Sequence, residues 1–308
     1  MGRPAKQALK GSACALVAAP GGDLLWCGDS RSRIARHDWK TKKTVELATA
    51  SPPRHLALAG PGRVLGAAFD FDQQKDGAAI YDATTGATIH ELRFPKPRQN
   101  VGAVAATADG ALLAVATGHM NAPSASIEIF SSEGKHVETI ELGRDAITRT
   151  AQALIFTTDG AAVRYALPGE LVTHPIGGKK STKVPCKIPE LGNVSPRTSR
   201  GGNHLLAQFH APGQRHEAFV IDEESGRTHA KIPESEVVSF GPDDTLVWQL
   251  EENVKILDTR GKELEFFKRK KRTRLEAAAM NDQGYWCAGG PGGIELYDLS
   301  RLDEIKRD

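Results

Sequence analysis

Along the chain, apolar residues alternate or gather in runs of four to six, and the runs are broken by Asp-Gly, Gly-Gly and Pro-Gly turns. No amphipathic period near 3.6 survives for eleven residues, so strands are predicted almost throughout. One unit recurs: apolar strand, Asp/Gly turn, apolar strand, a strand of Ile-x-Tyr-Asp type, Gly turn, apolar strand. Val101 to Ala106, Asp109-Gly110, Leu112 to Ala116, Ile127 to Phe130, Gly134 and Val137 to Ile140 make one copy. A second runs from Val237 to Phe267 through Asp243-Asp244 and Gly261, and a third from Ala277 to Asp298 through Gly284.

Asp38, Asp82, Ser131, Ala166, Asp222, Asp258 and Asp298 then anchor the third strands of successive repeats. Their mean spacing of about 43 residues is that of a four-stranded propeller blade. The interval before Ala166 is short, because Asp159-Gly160 and Pro168-Gly169 each make a tight turn. The interval after it is long, and Ile176 to Val194 is read as an extended connection. Leu275 to Met280 contains helix formers, but its place in the repeat makes it an innermost strand. Leu302 to Asp308 is the expected outer strand of the last repeat, with Arg3 to Lys10 as the alternative. One all-β domain, residues 1–308, is expected, with four-stranded antiparallel blades near 11–48, 53–93, 101–141, 146–176, 194–232, 236–267 and 275–308. Stacking such sheets covers faces that a lone sheet leaves wet.

On these residues the chain resembles the WD40-like seven-bladed β-propellers. Tyr81-Asp82, Ile221-Asp222, Leu257-Asp258 and Tyr297-Asp298 stand where that family has its terminal dipeptide. No Trp-Asp occurs, and Gly118-His119 falls elsewhere in its repeat, so the resemblance is one of architecture and period. It implies a rigid disc whose loops bind a partner.

Composition agrees with a globular chain: 308 residues, 40% hydrophobic and 25% charged. No apolar run approaches the roughly 18 residues of a membrane span. Arg3, Lys6 and Lys10 before Ala13 to Ala19 imitate a signal peptide, but the run is short and enters a Pro-Gly-Gly-Asp turn, so it is read as the first strand. Cys14, Cys27, Cys186 and Cys287 form no Cys-x-x-Cys pair, which favours reduced thiols and a cytoplasmic location, with a Cys14 to Cys27 bridge as the alternative.

The net charge of +2 conceals a segregation. Lys268, Arg269, Lys270, Lys271, Arg272 and Arg274 put six cations in seven residues, and without them the remainder carries −4. Lys179, Lys180, Lys183 and Lys187 form a second group, and without these too it carries −8. With Arg54, Lys96 and Arg98 these residues are placed on connections from an outer strand to the next inner strand, which share one propeller face. Clustered cations of this kind attract an anionic partner. Aromatic residues do not interleave the run, which argues against base stacking.

Other constellations fit known sites poorly. Asp70, Asp72 and Asp76-Gly77 miss the calcium ladder, since Gln74 and Lys75 stand where an acid and Gly are needed. Gly177 to Thr182 fails the phosphate-loop pattern, and Gly289 to Gly293 lies between strands. His204, His210 and His216 are spaced too widely for zinc. The expected function is a non-catalytic scaffold that binds a protein or other polyanion through Lys96, Arg98, Lys179, Lys180, Lys183, Lys268, Arg269, Lys270, Lys271, Arg272 and Arg274. A protein, acidic where the basic segment binds it, is the first choice of partner and nucleic acid the second, with a basic segment that is only solvated as the alternative; no membrane, cofactor or metal is expected, and the chain by itself is expected to be monomeric. The alternative is a lactonase-like propeller hydrolase with a composite site at the central funnel, drawing on loop residues such as Arg31, Asp70, His119 and Arg215.

Overall fold

The computed structural model describes residues 6–9, 15–18, 23–27, 33–38, 41–48, 55–70, 75–95, 99–119, 125–142, 154–167, 169–185, 193–198, 204–210, 216–222, 224–225, 227–241, 245–269, 275, 277–280, 284–290 and 293–299. Among them every regular element is a strand, and no helix is long and apolar enough to cross a membrane. The strands pair into seven four-stranded antiparallel sheets. Strand β1 (Lys6–Leu9) joins the end of the chain, and the others pair in sequence order.

The first sheet is β2 (Ala15–Ala18), β3 (Asp23–Cys27), β4 (Arg33–Asp38) and β5 (Lys43–Ala48). The second is β6 (His55–Leu58), β7 (Arg63–Asp70), β8 (Lys75–Asp82) and β9 (Thr88–Leu92). The third is β10 (Gln99–Ala106), β11 (Leu112–His119), β12 (Ala125–Ser131) and β13 (His136–Glu141). The fourth is β14 (Leu154–Phe156), β15 (Ala162–Leu167), β16 (Glu170–Pro175) and β17 (Thr182–Pro185). The fifth is β18 (Asn193–Thr198), β19 (His204–His210), β20 (His216–Asp222) and β21 (Thr228–Ser235). The sixth is β22 (Val237–Phe240), β23 (Leu246–Leu250), β24 (Asn253–Leu257) and β25 (Glu263–Lys268). The seventh is β26 (Ala277–Met280), β27 (Tyr285–Gly290) and β28 (Gly293–Asp298), completed by β1. Residue register is defined across every ladder of five sheets, the second, third, fourth, sixth and seventh.

Two compact units divide the chain: Met1–Asp29, His37–Val45 and Arg197–Asp308 in one, Ser30–Arg36 and Glu46–Pro196 in the other. Within the second, Leu65, Ile80, Leu92, Leu113, Val115 and Phe130 join the second sheet to the third, and Ile127, Ile129, Phe156, Val163 and Val172 join the third to the fourth. Within the first, Leu206, Val220, Ile232, Val238 and Leu246 lie between the fifth and sixth sheets, and Val254, Ile256, Trp286 and Tyr297 between the sixth and seventh. A strand such as β12 is therefore buried on both faces, which is why its sequence reads as a nearly continuous apolar run.

Four of the Asp residues that mark the repeat, Asp38, Asp82, Asp222 and Asp258, are turn caps. The Asp82 carboxylate accepts from the backbone N–H groups of Thr84 and Thr85 and from the Thr85 hydroxyl, and Asp222 does the same with Ser225. Asp258 receives the N–H groups of Arg260 and Lys262. A second device recurs between first and second strands, where Thr107 donates to Asp109 at 2.6 Å and Thr157 to Asp159 at 2.7 Å. Each of these short side chains satisfies backbone donors that a tight turn leaves open.

Two expectations are corrected. The anchor of the fourth repeat is Pro175, because Ala166 lies in the second strand of that sheet. Pro175 faces Ala162 as Ser131 faces Leu112, and the Ile176 N–H donates to Ala161 as that of Ser132 donates to Ala111. The outer strand β17 pairs Thr182 with Thr173 and Val184 with Leu171, so the fourth sheet extends to Pro185 and residues 176–181 are a loop inside it. The seventh sheet takes β1 as its fourth strand, with Lys6 opposite Tyr297 and Leu9 opposite Ile294. Residues 302–308, the first choice for that strand, lie outside the described residues.

Candidate functional site

The densest charge in the sequence leaves the outer strand of the sixth sheet, and its first members are described. Lys268 is the last residue of β25, opposite Asn253, with an exposed side chain whose ammonium lies 3.8 Å from Glu252. Arg269 is different. Its side chain is fully buried, its Nε donates to Glu295 Oε2 at 2.7 Å, and its Nη1 donates to the Glu251 carbonyl at 2.9 Å. Its backbone N–H donates to the Glu252 carbonyl at 2.6 Å.

Glu295 sits on β28, between the buried apolar side chains of Ile294 and Leu296. A carboxylate there has to find donors, and it takes two on one oxygen, Arg269 and the Tyr297 hydroxyl at 2.6 Å. Burial, with Glu295 accepting the Tyr297 proton, pushes the Tyr297 hydroxyl far above its ordinary range. Glu251 completes the shell from the turn between β23 and β24. Its φ of 53° is unusual for a residue with a side chain, and its carbonyl accepts from both Arg269 Nη1 and Gln249 Nε2.

The far end of the connection is fastened as well. The Leu275 side chain is buried in the cluster between the sixth and seventh sheets, and its N–H donates to Glu236 Oε2 at 3.3 Å, the oxygen that also receives Gln249 Nε2. Residues 270–274, which hold Lys270, Lys271, Arg272 and Arg274, thus run between two buried anchors six residues apart, Arg269 and Leu275. These four cations lie outside the described residues, as do Lys96 and Arg98.

Arg269 is corrected accordingly: it is an internal ion-pair partner that fixes the base of the basic segment, and it is not a surface cation. The sequence did carry a signal. Glu295 in Ile294-Glu-Leu-Tyr and Glu128 in Ile127-Glu-Ile-Phe occupy equivalent third-strand positions, and an acid inside an apolar run calls for a buried partner. For Glu128 the partners are Ser126, Thr139 and His136, at 2.7, 2.6 and 2.9 Å.

The second basic group does not share the location expected of it. Lys179 and Lys180 are exposed on the loop between β16 and β17, at the end of the fourth sheet that carries the β14–β15 turn. A connection from an outer strand to the next inner strand leaves from the other end. Lys183 lies on β17 and pairs with Glu170 at 2.8 Å, which holds its ammonium above the ordinary value. Asp70 and His119 end the second strands β7 and β11, while Arg31 and Arg215 lie outside the described residues. Among the described residues no group of three His, Cys, Asp or Glu is placed to hold a metal ion, and Cys287 is buried.

No protein-family model and no curated protein sequence matches the chain. Solved structures do. A streptogramin B lyase structure superposes with a TM-score of 0.72 at 10% identity, covering 96% of this chain and 98% of that one. The structure of U3-55K superposes with a TM-score of 0.70 at 11% identity, covering 97% and 100%. At such identities the likeness concerns the fold, and the chain is an all-β propeller of four-stranded antiparallel blades.

Proposed function

We propose that the protein is a non-catalytic interaction module, its seven sheets the blades of one WD40-like ring, which binds an acidic protein partner through the basic connection between the sixth and seventh sheets. The observation that carries this reading is the double anchoring of residues 270–274. Four cations held between the buried Arg269 ion pair and the buried Leu275 keep their charges together at one place, which concentrates a positive field there.

The competing reading, a hydrolase with a composite site along the axis, asks for convergent ionisable groups on inner strands. Five of the seven first strands, β2, β10, β14, β22 and β26, consist of uncharged residues, with Ala103, Ala105, Ala278 and Ala279 buried on two of them, while β6 holds His55 and β18 holds Arg197. This weighs toward the interaction module.

The test is an affinity capture from extract of the source cells, with and without nuclease. Wild type is compared with a variant carrying Ser at positions 268, 270, 271, 272 and 274. A partner retained after nuclease by wild type and lost by the variant supports the proposal. Capture abolished by nuclease, or equal capture by both proteins, overturns it.

A further inference from the structure

The fourth sheet holds an ordered chain of polar side chains. His174, on β16, is buried, and both of its ring nitrogens are engaged: Nδ1 lies 2.9 Å from the Ser181 hydroxyl and Nε2 lies 3.0 Å from Glu138 Oε1. Glu138 comes from β13, the outer strand of the third sheet, and its other oxygen accepts the Gly177 N–H at 2.8 Å. A carboxylate only accepts, so in the neutral ring Nε2 carries the proton and the Nδ1 lone pair faces the Ser181 O–H. The hydroxyl therefore donates to the imidazole, in the order alcohol, imidazole, carboxylate that activates a nucleophile. Ser181 is partly exposed at the end of the loop 176–181, and the buried Tyr165 is a further hydrogen-bond partner of its hydroxyl. Burial holds the Tyr165 hydroxyl above its ordinary range, so it stays an O–H donor beside Ser181.

We propose that Ser181 is an acyl-acceptor site, with His174 as its base and Glu138 as the positioning residue, that takes one acyl group from a thioester of a phosphate-bearing thiol. In that step Ser181 Oγ bonds to the thioester carbonyl carbon, its proton passes to His174 Nδ1, and the C–S bond breaks with its electron pair leaving on sulfur. The thiolate then takes the proton from His174, and the products are O-acylated Ser181 and free thiol. A thiol ionises near pH ~8.5, so a thiolate leaves without being protonated first, which suits a site whose base faces the nucleophile. The Tyr165 hydroxyl is the donor at hand for the negative charge that develops on the carbonyl oxygen. Lys179 and Lys180, exposed just before Ser181, supply the charge that draws an anionic carrier, whereas Lys183 is already paired with Glu170. This modification goes beyond the interaction reading and does not depend on it. A single transfer to the chain's own serine is not turnover.

The test is peptide mapping by mass spectrometry after the full chain is incubated with acetyl coenzyme A or with uncharged p-nitrophenyl acetate. Wild type should carry one acetyl group, on Ser181, from either reagent, and Ser181→Ala should remove it. His174→Gln should slow the acylation by about 100-fold or more. Glu138→Ala should lower the saturating rate by about tenfold or more and leave the half-saturating concentration unchanged, a split that mere loosening of the loop would not give. The double change Lys179→Ser with Lys180→Ser should lower the preference for acetyl coenzyme A over p-nitrophenyl acetate by about tenfold. The first sheet supplies a control: His37 Nδ1 and Thr44 Oγ1 stand 3.0 Å apart there, a like pair on strands, and Thr44→Ala should leave the labelling as it is. Acetyl groups on lysines with Ser181 unmodified, or a wild-type rate at Ser181 in either His174→Gln or Glu138→Ala, overturns the proposal. An unchanged preference in the double lysine variant overturns the anionic carrier.

Discussion

Arg269 and Glu295 form a buried ion pair, 2.7 Å between Nε and Oε2, joining the connection after the sixth sheet to the third strand of the seventh. Removing one partner leaves the other charged, buried and uncompensated. Arg269→Ala is therefore expected to lower stability by about 3–5 kcal/mol in urea unfolding. The double change Arg269→Met with Glu295→Met should recover most of the loss, since two well-packed apolar residues often replace such a pair without cost. A loss below about 1 kcal/mol in the single variant would return Arg269 to the surface.

The capping aspartates make part of the stability dependent on pH. Asp82 is held below its ordinary value of 3.8 mainly by the Thr85 N–H, Asp109 and Asp159 by the Thr107 and Thr157 hydroxyls, and Asp222 by the Ser225 hydroxyl. A carboxylate lowered in the native state stabilises it above the ordinary value, and that contribution is lost as pH falls through the lowered one. Asp82→Asn and Asp222→Asn should thus melt lower than wild type at pH 7, and the gap should close as pH falls below 3.8. A gap that stays constant in acid contradicts the assignment.

Gly110 adopts a φ of 72° in the turn after β10, and a Cβ there would collide with the Ala59 carbonyl of the neighbouring sheet. Gly62 has a similar φ of 67° with open space around it. Gly62→Ala is expected to cost about 1–2 kcal/mol for the left-handed backbone alone. Gly110→Ala should exceed it by about 1–3 kcal/mol, because backbone must also move. Equal melting temperatures for the two variants would argue against this packing of the turns.

The repeat was legible in the sequence because its signals are local. Asp38, Asp82, Asp222, Asp258 and Asp298 mark third-strand ends, since the polar cap each turn needs is a fixed residue type. The fourth repeat was misread where that signal lapses: Pro175 replaces the acid, and β17, largely exposed, lacks an apolar run. The site was legible in part. A cluster of cations is visible to simple inspection, but which member turns inward depends on Glu295, a residue remote in sequence. The interval of Lys179 and Lys180 looked like a connection for the same reason that β17 was missed, so its end of the sheet was assigned wrongly.

With Arg269 internal, five cations remain for a ligand, Lys268, Lys270, Lys271, Arg272 and Arg274. Were duplex DNA bound through them, the log-log salt slope would not be steeper than about −4.5. A steeper slope would require phosphate contacts elsewhere on the molecule.

The most direct measurement is the salt dependence of binding to a labelled oligoglutamate peptide, for wild type and for the variant with Ser at 268, 270, 271, 272 and 274. The interaction reading predicts an affinity at low salt at least about tenfold weaker in the variant, with a slope less than half as steep. The same affinity and the same slope in both proteins would contradict it.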